Sequence, residues 1–566
     1  MDTAETTLSA REAAVPVTTV AELVADTLVR LGVGHCFGVV GSGNFAVTNA
    51  LRARGVPFTA ARHEGGAATM ADAYARMSGD IALVSVHQGC GLTNAITGIG
   101  EAAKSRSGVI VLTAETAGAS VLSNFTIDQP ALARSVGAAA ERVHSAASAV
   151  ADVVRAYTAA RAGRRTVVLN LPLDVQAAAA PAVPPAVGPV AARATRPAAS
   201  EVAAVADLIA AARRPVIVAG RGARAAGPEL RELGEAAGAL LATSAVANGL
   251  FAGDPFALGI SGGFSSPLAA ELISDADLLI GVGCALNMWT MRHGSLVGTG
   301  ARVVQIDDDP LALGAHRPVA LGVLGDAALT ARDLADALRA RGGSAARYRT
   351  PEVAARISAS ARWNQTPTPD LSGDGRIDPR VLSARLDELL PIERIVSIDS
   401  GNFMGYPSQY LRVPDEFGFC FTQAFQSIGL GLPTAIGAAL AQPGRLPVLG
   451  TGDGGFFMAI AELETAVRLA LPLVVVVYND AAYGAEVHHF ADADPDVDVD
   501  TVVFPDTDIA AIARGYGATG LTVRAVADLD AVSVWLDSEP AAPLVIDAKI
   551  ASDGGAWWLH EAFRGH

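Results

Sequence analysis

Two aspartates set the first question. Asp453 lies in the glycine-bracketed stretch "GDGGFF", and Asp480 closes the pair Asn479-Asp480, 27 residues further on. Oxygen ligands that far apart meet at one cation only if the chain folds back between them. The intervening residues allow it. "LPVLGTGD" reads as a strand ending at Asp453. "MAIAELETAVRLA" has the period of an amphipathic helix that Pro472 stops, and "LVVVVY" is a second buried strand delivering Asn479-Asp480. Gly452, Gly454 and Gly455 let the backbone turn tightly and approach a ligand, and the helix start offers N–H groups to an anion. Neighbouring strand ends of an open parallel sheet form a ligand crevice, so the two carboxylates are expected side by side. With phosphate oxygens completing the shell, they suit Mg²⁺ or Ca²⁺. The plainer alternative is a strand-to-helix turn and an unrelated loop start.

The N-terminal third holds a second set. Glu64 sits in "ARHEGGAATMADAYARMSGD", where a buried strand end is expected to meet a helix. A carboxylate there needs a hydrogen-bond partner or the helix dipole. "FGVVGSGNF" offers Ser42 between Gly41 and Gly43; "SVHQGCGLTNAITG" offers His87 and Gln88; "NFTIDQPALAR" offers Asp128 and Gln129. A histidine at a strand end relays protons near neutral pH, or simply caps the next helix. After the second aspartate, "AAYGAEVHHF" brings Glu486, His488 and His489 towards a substrate, or exposes them on a helix.

Nine apolar runs, at 81–86, 108–114, 165–172, 214–220, 276–283, 301–307, 394–399, 446–453 and 471–480, alternate with Ala-rich segments of helical period. Strands of this kind belong to parallel sheets covered on both faces, hence an α/β fold. The Pro/Ala-rich stretch 176–200 and the polar stretch 341–379 divide the 566 residues into domains at 15–180, 198–340 and 378–555. A net charge of −16 without a basic cluster disfavours nucleic acid and anionic membranes as partners. Cys36, Cys90, Cys284 and Cys420 are scattered, which fits neither a disulfide framework nor a zinc site. The first residues have no apolar core of a secretory leader, and the longest apolar runs are about half of a membrane span, so a soluble cytoplasmic protein is expected. "PVIVAGRGARAAG" (215–227) contains GxGxxA after a strand, yet residues 236–253 hold no Asp or Glu to bind a ribose, which argues against an NAD-dependent dehydrogenase.

The GDG stretch, its spacing to the Asn-rich pair, "RHE" with "AYAR", and "QAFQSIGLGLPTAIGAAL" (423–440) together resemble the thiamine-diphosphate enzymes, in the branch of acetolactate synthase, benzoylformate decarboxylase and pyruvate oxidase. The resemblance covers nearly the whole chain. It implies three doubly wound parallel-sheet domains: pyrimidine-binding, central Rossmann-like and diphosphate-binding. It implies thiamine diphosphate with Mg²⁺ held by Asp453, Asp480 and the Ala482 carbonyl, although the family usually has Asn at position 480. Gly401, Asn402 and Phe403 of "DSGNFMG", with Ser427, Gly452, Gly454, Gly455, Tyr483 and Gly484, would meet the cofactor, and Ile428 would prop it in its bent shape. Glu64 would activate it from the pyrimidine side. Ser42 and His87 match a polar active-site pair of benzoylformate decarboxylase, His87 following the glutamate at the same interval of 23 residues. Gln129 matches a pocket-lining glutamine of acetolactate synthases, and His488 would face the substrate.

The expected function is decarboxylation of a 2-oxo acid, followed by aldehyde release or ligation of the acyl anion to an aldehyde or keto acceptor. An acetolactate-synthase-type transferase acting on pyruvate is the alternative, weakened because the tryptophan those enzymes carry near His489 is missing. A non-catalytic cofactor-binding scaffold is the alternative of another class. The arginine-rich flavin-contacting segment of acetolactate synthases is replaced by "CALNMWTMRHG" (284–294), so no flavin is expected, and Met288, Trp289, Met291 and His293 are free to reach the substrate pocket. In this family the glutamate of one copy meets the metal site of another, implying a homodimer or homotetramer.

Overall fold

The computed structural model describes residues 17–182, 186–188, 194–342, 347–493 and 496–555. The first 16 residues and parts of the two expected connections lie outside the described residues. Two compact units divide the chain near residue 191, residues 76–78 grouping with the second.

The first unit is built on one sheet of β1 (Val33–Gly38), β2 (Phe58–Ala60), β3 (Ile81–Val86), β4 (Val109–Glu115), β5 (Ala139–Arg142) and β6 (Val167–Pro172), in the order β2-β1-β3-β4-β6-β5. The second unit carries two sheets. The central one contains β7 (Pro215–Ala219), β8 (Leu240–Thr243), β9 (Ala257–Ile260), β10 (Leu278–Val282), β11 (Arg302–Asp307) and β12 (Leu321–Leu324), in the order β12-β11-β10-β7-β8-β9. The last contains β13 (Arg394–Ile398), β14 (Phe419–Phe421), β15 (Leu446–Gly452), β16 (Val474–Asn479), β17 (Thr519–Val523) and β18 (Leu544–Lys549), in the order β14-β13-β15-β16-β18-β17. Every strand pair is parallel.

All nine apolar runs are strands. Their inner members, such as β3, β6 and β16, are buried at every position, because helices shield both faces and each side chain has an apolar neighbour wherever it points. The first and last sheets share one connectivity, and in each the chain changes direction between its first and third strands. That is where a crevice opens at the carboxyl ends of an α/β sheet. Among the described residues, no helix is long and apolar enough to cross a membrane.

In the central sheet the corresponding position is filled by the chain itself. A Cβ on Gly220 would lie 2.2 Å from the Gly283 carbonyl oxygen, and one on Gly222 would lie 2.9 Å from Gly283 Cα. Gly220 N donates to Val282 O and Gly222 N to Gly283 O. The glycines of GxGxxA therefore bring two loops into backbone contact, which accounts for the motif without a nucleotide. Met291, expected near a substrate, is buried in the central core, and Trp289 packs on the core of the last sheet. Gly220→Ala is expected to destabilise the second unit by about 1–3 kcal/mol, the usual cost of overpacking, read as a lower denaturant midpoint for that unit.

Candidate active site

In the second unit four loops converge at the carboxyl ends of β13, β14, β15 and β16. Register pairs Gly452 with Tyr478, so Asp453 and Asp480 emerge from adjacent strands. Asp453 is buried, opens the helix Asp453–Ala459, and is hydrogen-bonded to the partly buried Asp480. Burial pushes both carboxyls well above the usual carboxylate range, and the charge of Asp453 pushes Asp480 further. Lys549 offsets this only in part.

Close packing explains several glycines of the cradle. A Cβ on Gly484 would lie 2.1 Å from Asp480 Oδ2, and one on Gly454 would lie 2.5 Å from the Tyr483 ring. Gly401 adopts φ +148°, and Phe403 beside it stacks on Tyr478 with centroids 5.6 Å apart. Gly429 takes φ +83° in the turn that carries Ser427 and Ile428, both partly buried, and packs against Met458 of the aspartate's helix. Ala481 is left-handed at φ +59°. Phe504 N donates to Ala481 O and Tyr483 N to Val502 O, so Ala482 and Val503 form the non-hydrogen-bonded pair of a short antiparallel bridge. Ala482 N turns to Asp480 Oδ1, 3.3 Å away, and its carbonyl has no donor among the described residues. A cavity of about 410 Å³ adjoins these groups, lined by Asp453, Gly454, Asn479 and Tyr483, with Phe457 and Met458 on its apolar side.

Two buried carboxylates that resist ionising together, with an open carbonyl beside them, suit a hard cation. Among the described residues no group of three or more His, Cys, Asp or Glu side chains is placed to hold a metal by itself, so a cation here would need further oxygens from water or a bound ligand. Behind the pair, Asn479 is fixed from both ends. Its Nδ2 donates to Asp547 Oδ1 at 2.8 Å and its Oδ1 accepts from Ala481 N at 3.0 Å. Asp547 in turn pairs with Lys549 at 3.0 Å, and Lys549 also binds Asp506 and Thr507 O. The sequence reading missed Asp547 and Lys549.

The helix Gly484–Ala493 follows the aspartate loop. Its His488 and His489 are partly buried and Glu486 is exposed. His488 has Gly555 close against it, since a Cβ on that glycine would stand 3.0 Å from the ring.

In the first unit the expected groups gather at the ends of β1, β2 and β3. Glu64 is partly exposed in the first turn of the helix Glu64–Ser78, not at a buried strand end, and Asn94 Nδ2 donates to its Oε2 at 3.0 Å. Ser42 Oγ stands 3.4 Å from His87 Nε2. His87 Nδ1 is 2.9 Å from the Gln88 carbonyl. A carbonyl only accepts, so the proton of the neutral ring sits on Nδ1, and the Nε2 lone pair faces the Ser42 hydroxyl.

Gln129 is placed differently from its expected role. It is buried and its amide is spent internally: Oε1 accepts from Gly89 N at 2.9 Å, and Nε2 donates to Ala114 O and Asn170 Oδ1. It braces the turn behind His87, while Asp128 caps the helix Gln129–Ser135. Asn44, which the sequence reading passed over, shapes the serine loop. Fully buried, it accepts from Gly41 N at 2.8 Å and donates to Val39 O and Ser85 Oγ. Its one sequence signal, a small polar residue ahead of a helix, points to a cap, and no such cap bond forms.

Comparison with known proteins agrees with this geometry. The chain matches the thiamine pyrophosphate enzyme N-terminal TPP binding domain over residues 18–132, the central domain over 202–334 and the C-terminal TPP binding domain over 399–547. It is similar to a probable 2-ketoarginine decarboxylase of Pseudomonas aeruginosa, 32% identical over 90% of each chain. A sulfoacetaldehyde acetyltransferase of Alcaligenes xylosoxydans xylosoxydans is 29% identical over 83% of this chain and 82% of that one. An acetolactate synthase of Bacillus subtilis is 28% identical over 94% of this chain and 93% of its own. The chain belongs to the thiamine-diphosphate-dependent enzyme family.

Two outcomes are expected. Asn44→Ala leaves the Gly41 N–H without its acceptor and frees Ser42 from His87, so turnover falls roughly 10-fold, the scale of one lost buried hydrogen bond, in steady-state assays at saturating cofactor. Because the folded carboxyl pair holds a proton at a higher pH than ordinary carboxylates do, a cation must displace that proton to bind. Mg²⁺ affinity, measured calorimetrically with the cofactor present, should therefore fall as the pH drops from 8 towards 5.5.

Proposed function

We propose that the chain is a thiamine-diphosphate- and Mg²⁺-dependent enzyme that removes CO₂ from a 2-oxo acid, then releases an aldehyde or joins the acyl unit to an aldehyde or keto acceptor. The observation that carries this reading is the buried pair Asp453 and Asp480 with the open Ala482 carbonyl, at the crevice of a sheet that matches a TPP-binding domain. When bound, the cofactor supplies a nucleophilic carbon and a sink for the electron pair left as CO₂ departs.

The chain's own residues do the rest. Asp453, Asp480 and the Ala482 carbonyl would hold Mg²⁺. Gly401, Asn402, Phe403, Ser427, Gly452, Gly454, Gly455, Tyr483 and Gly484 would meet the diphosphate, and Ile428 would prop the body of the cofactor. Glu64, with Asn94 on Oε2, keeps Oε1 for a proton-bearing ring nitrogen and holds that proton during activation. His87, with Nδ1–H fixed by Gln88 O, takes or returns a proton at Nε2, directly or through the Ser42 hydroxyl. His488 faces the substrate from the helix after the cation loop.

The names of the relatives, a decarboxylase, an acetyltransferase and a synthase, support the class of reaction and leave the donor open. The family resemblance makes the working unit a homodimer or homotetramer, with Glu64 of one copy serving the cation site of another. In keeping with this, Phe457, Met458 and Phe504 beside the cavity are 37%, 53% and 39% exposed in the single chain, an apolar rim that a second copy would cover.

CO₂ release from a panel of 2-oxo acids including pyruvate, benzoylformate and 2-ketoarginine, with and without thiamine diphosphate and Mg²⁺ and with sulfoacetaldehyde as an acceptor, tests the reading. Release from none of them, with no calorimetric uptake of the cofactor, would sink it. Glu64→Gln should keep the fold by circular dichroism and lower turnover by about 10²–10⁴-fold, the scale of an acid–base group. Sedimentation at assay concentration should show no fully active monomer.

A further inference from the structure

Asp399 is fully buried and belongs to none of the groups assigned so far. It stands at the end of β13, where its backbone N–H donates to Gly450 O. Its carboxylate gathers three separate segments. Oδ1 accepts from Ser400 N at 2.8 Å and from Gly429 N at 3.0 Å. Oδ2 accepts from the Thr451 hydroxyl at 3.0 Å, and Gly431 N–H also donates to the carboxylate. No Lys, Arg or His among the described residues forms an ion pair with it. Its negative charge is held by N–H and O–H donors alone, a costly arrangement away from water unless the donors are fixed in place.

The carboxylate also determines where glycine must stand. A Cβ on Gly455 would lie 2.4 Å from Asp399 Oδ2, and one on Gly431 would lie 2.6 Å from Asp399 Cβ. The glycine after "GDG" is therefore required by Asp399, whatever a ligand asks of it.

The segments joined in this way are the loops 400–403 and 427–431 and the strand-to-helix junction 451–455. They carry Gly401, Asn402 and Phe403, then Ser427 and Ile428, then Gly452, Asp453, Gly454 and Gly455. We propose that Asp399 is a positioning residue: one buried carboxylate latches these three segments into the shape that receives the cofactor, so the cradle is ordered before the cofactor arrives. It acts through other residues and need not touch the ligand. The proposal rests on the reading that this cradle holds thiamine diphosphate.

Preorganisation shows in affinity more than in chemistry. Hence Asp399→Ala should weaken thiamine diphosphate binding about 100-fold, while Asp399→Asn and Thr451→Val, which each lose part of the latch, should weaken it about 10-fold. Affinity is read by calorimetry on the full-length protein with Mg²⁺, and again as the cofactor concentration for half-maximal turnover. Turnover at saturating cofactor should stay within about 3-fold of the parent protein in all three. In the cofactor-free protein, hydrogen exchange by mass spectrometry should be faster in peptides covering 399–405 and 427–432 of the Asn and Val variants, and unchanged in the first unit. If Asp399→Ala does not fold, these two variants carry the test. Unaltered affinity in the Asn and Val variants overturns the proposal. So does a fall in saturated turnover with affinity kept, or unchanged exchange in those peptides. Should the parent protein take up no cofactor, the proposed function fails, and the exchange experiment still decides whether Asp399 is a latch.

Discussion

The contact between Asp453 and Asp480 is the constraint around which the second unit is arranged. Two carboxylates facing each other out of water repel, and only a proton or a cation between them relieves it. Parallel register holds them at this distance, through five consecutive partners from Val448–Val474 to Gly452–Tyr478. The glycine at 484 leaves room for the Asp480 oxygen. Ala481 is left-handed, and Asn479 is tied to Asp547 one strand away. Each of these features has a local cost, in backbone strain or in buried charge. Together they leave two buried carboxyls side by side at the crevice, the arrangement on which the proposed cation site rests.

The two sheets with the same strand order carry different residues at corresponding strand ends. After the first strand of each comes a loop, carrying Ser42 in one and Asp399 in the other. After the second comes Glu64 or the Ser427–Ile428 turn, and after the third His87 or Asp453. Serine, glutamate and histidine thus occupy on one sheet the positions that the aspartates and the Ser427–Ile428 turn occupy on the other. The central sheet follows a different order, and its crevice is shut by contact of Gly220 and Gly222 with the 283–284 backbone.

Much of this was legible in the sequence, for a physical reason. Strands buried on both faces are written as unbroken Val/Ile/Leu runs, and all nine such runs are strands. Asp453 and Asp480 could be paired because glycine, helix period and proline mark the whole strand–helix–strand unit between them. What escaped notice depends on distant partners. β18, "LVIDAK", is a fully buried inner strand, yet its Asp and Lys break the apolar run that betrays the others. They are tolerated because they neutralise each other and meet Asn479 and Asp506. Asn44 and Asp399 sit in loops where polar residues are unremarked, and only the fold shows that one shapes the serine turn and the other gathers three glycine-bearing segments. Gln129 misled for the same cause: a glutamine near a ligand crevice and one bracing the turn beneath it look alike in one dimension.

The placement of β18 also bears on how the molecule is made. During synthesis the chain emerges from its amino end, and the strands of the first sheet lie within residues 33–172. That sheet has all its hydrogen-bonding partners long before the last one does. In the third sheet β18 inserts between β16 and β17, both of which precede it in the chain. Until it arrives β16 has one open edge, Asn479 has no Asp547, and the loop bearing Asp480 is untethered on that side. The nascent protein therefore carries its first sheet complete while its last sheet still waits for β18. The exposed edge of a strand that opens with four valines is a hazard for the ribosome-bound chain.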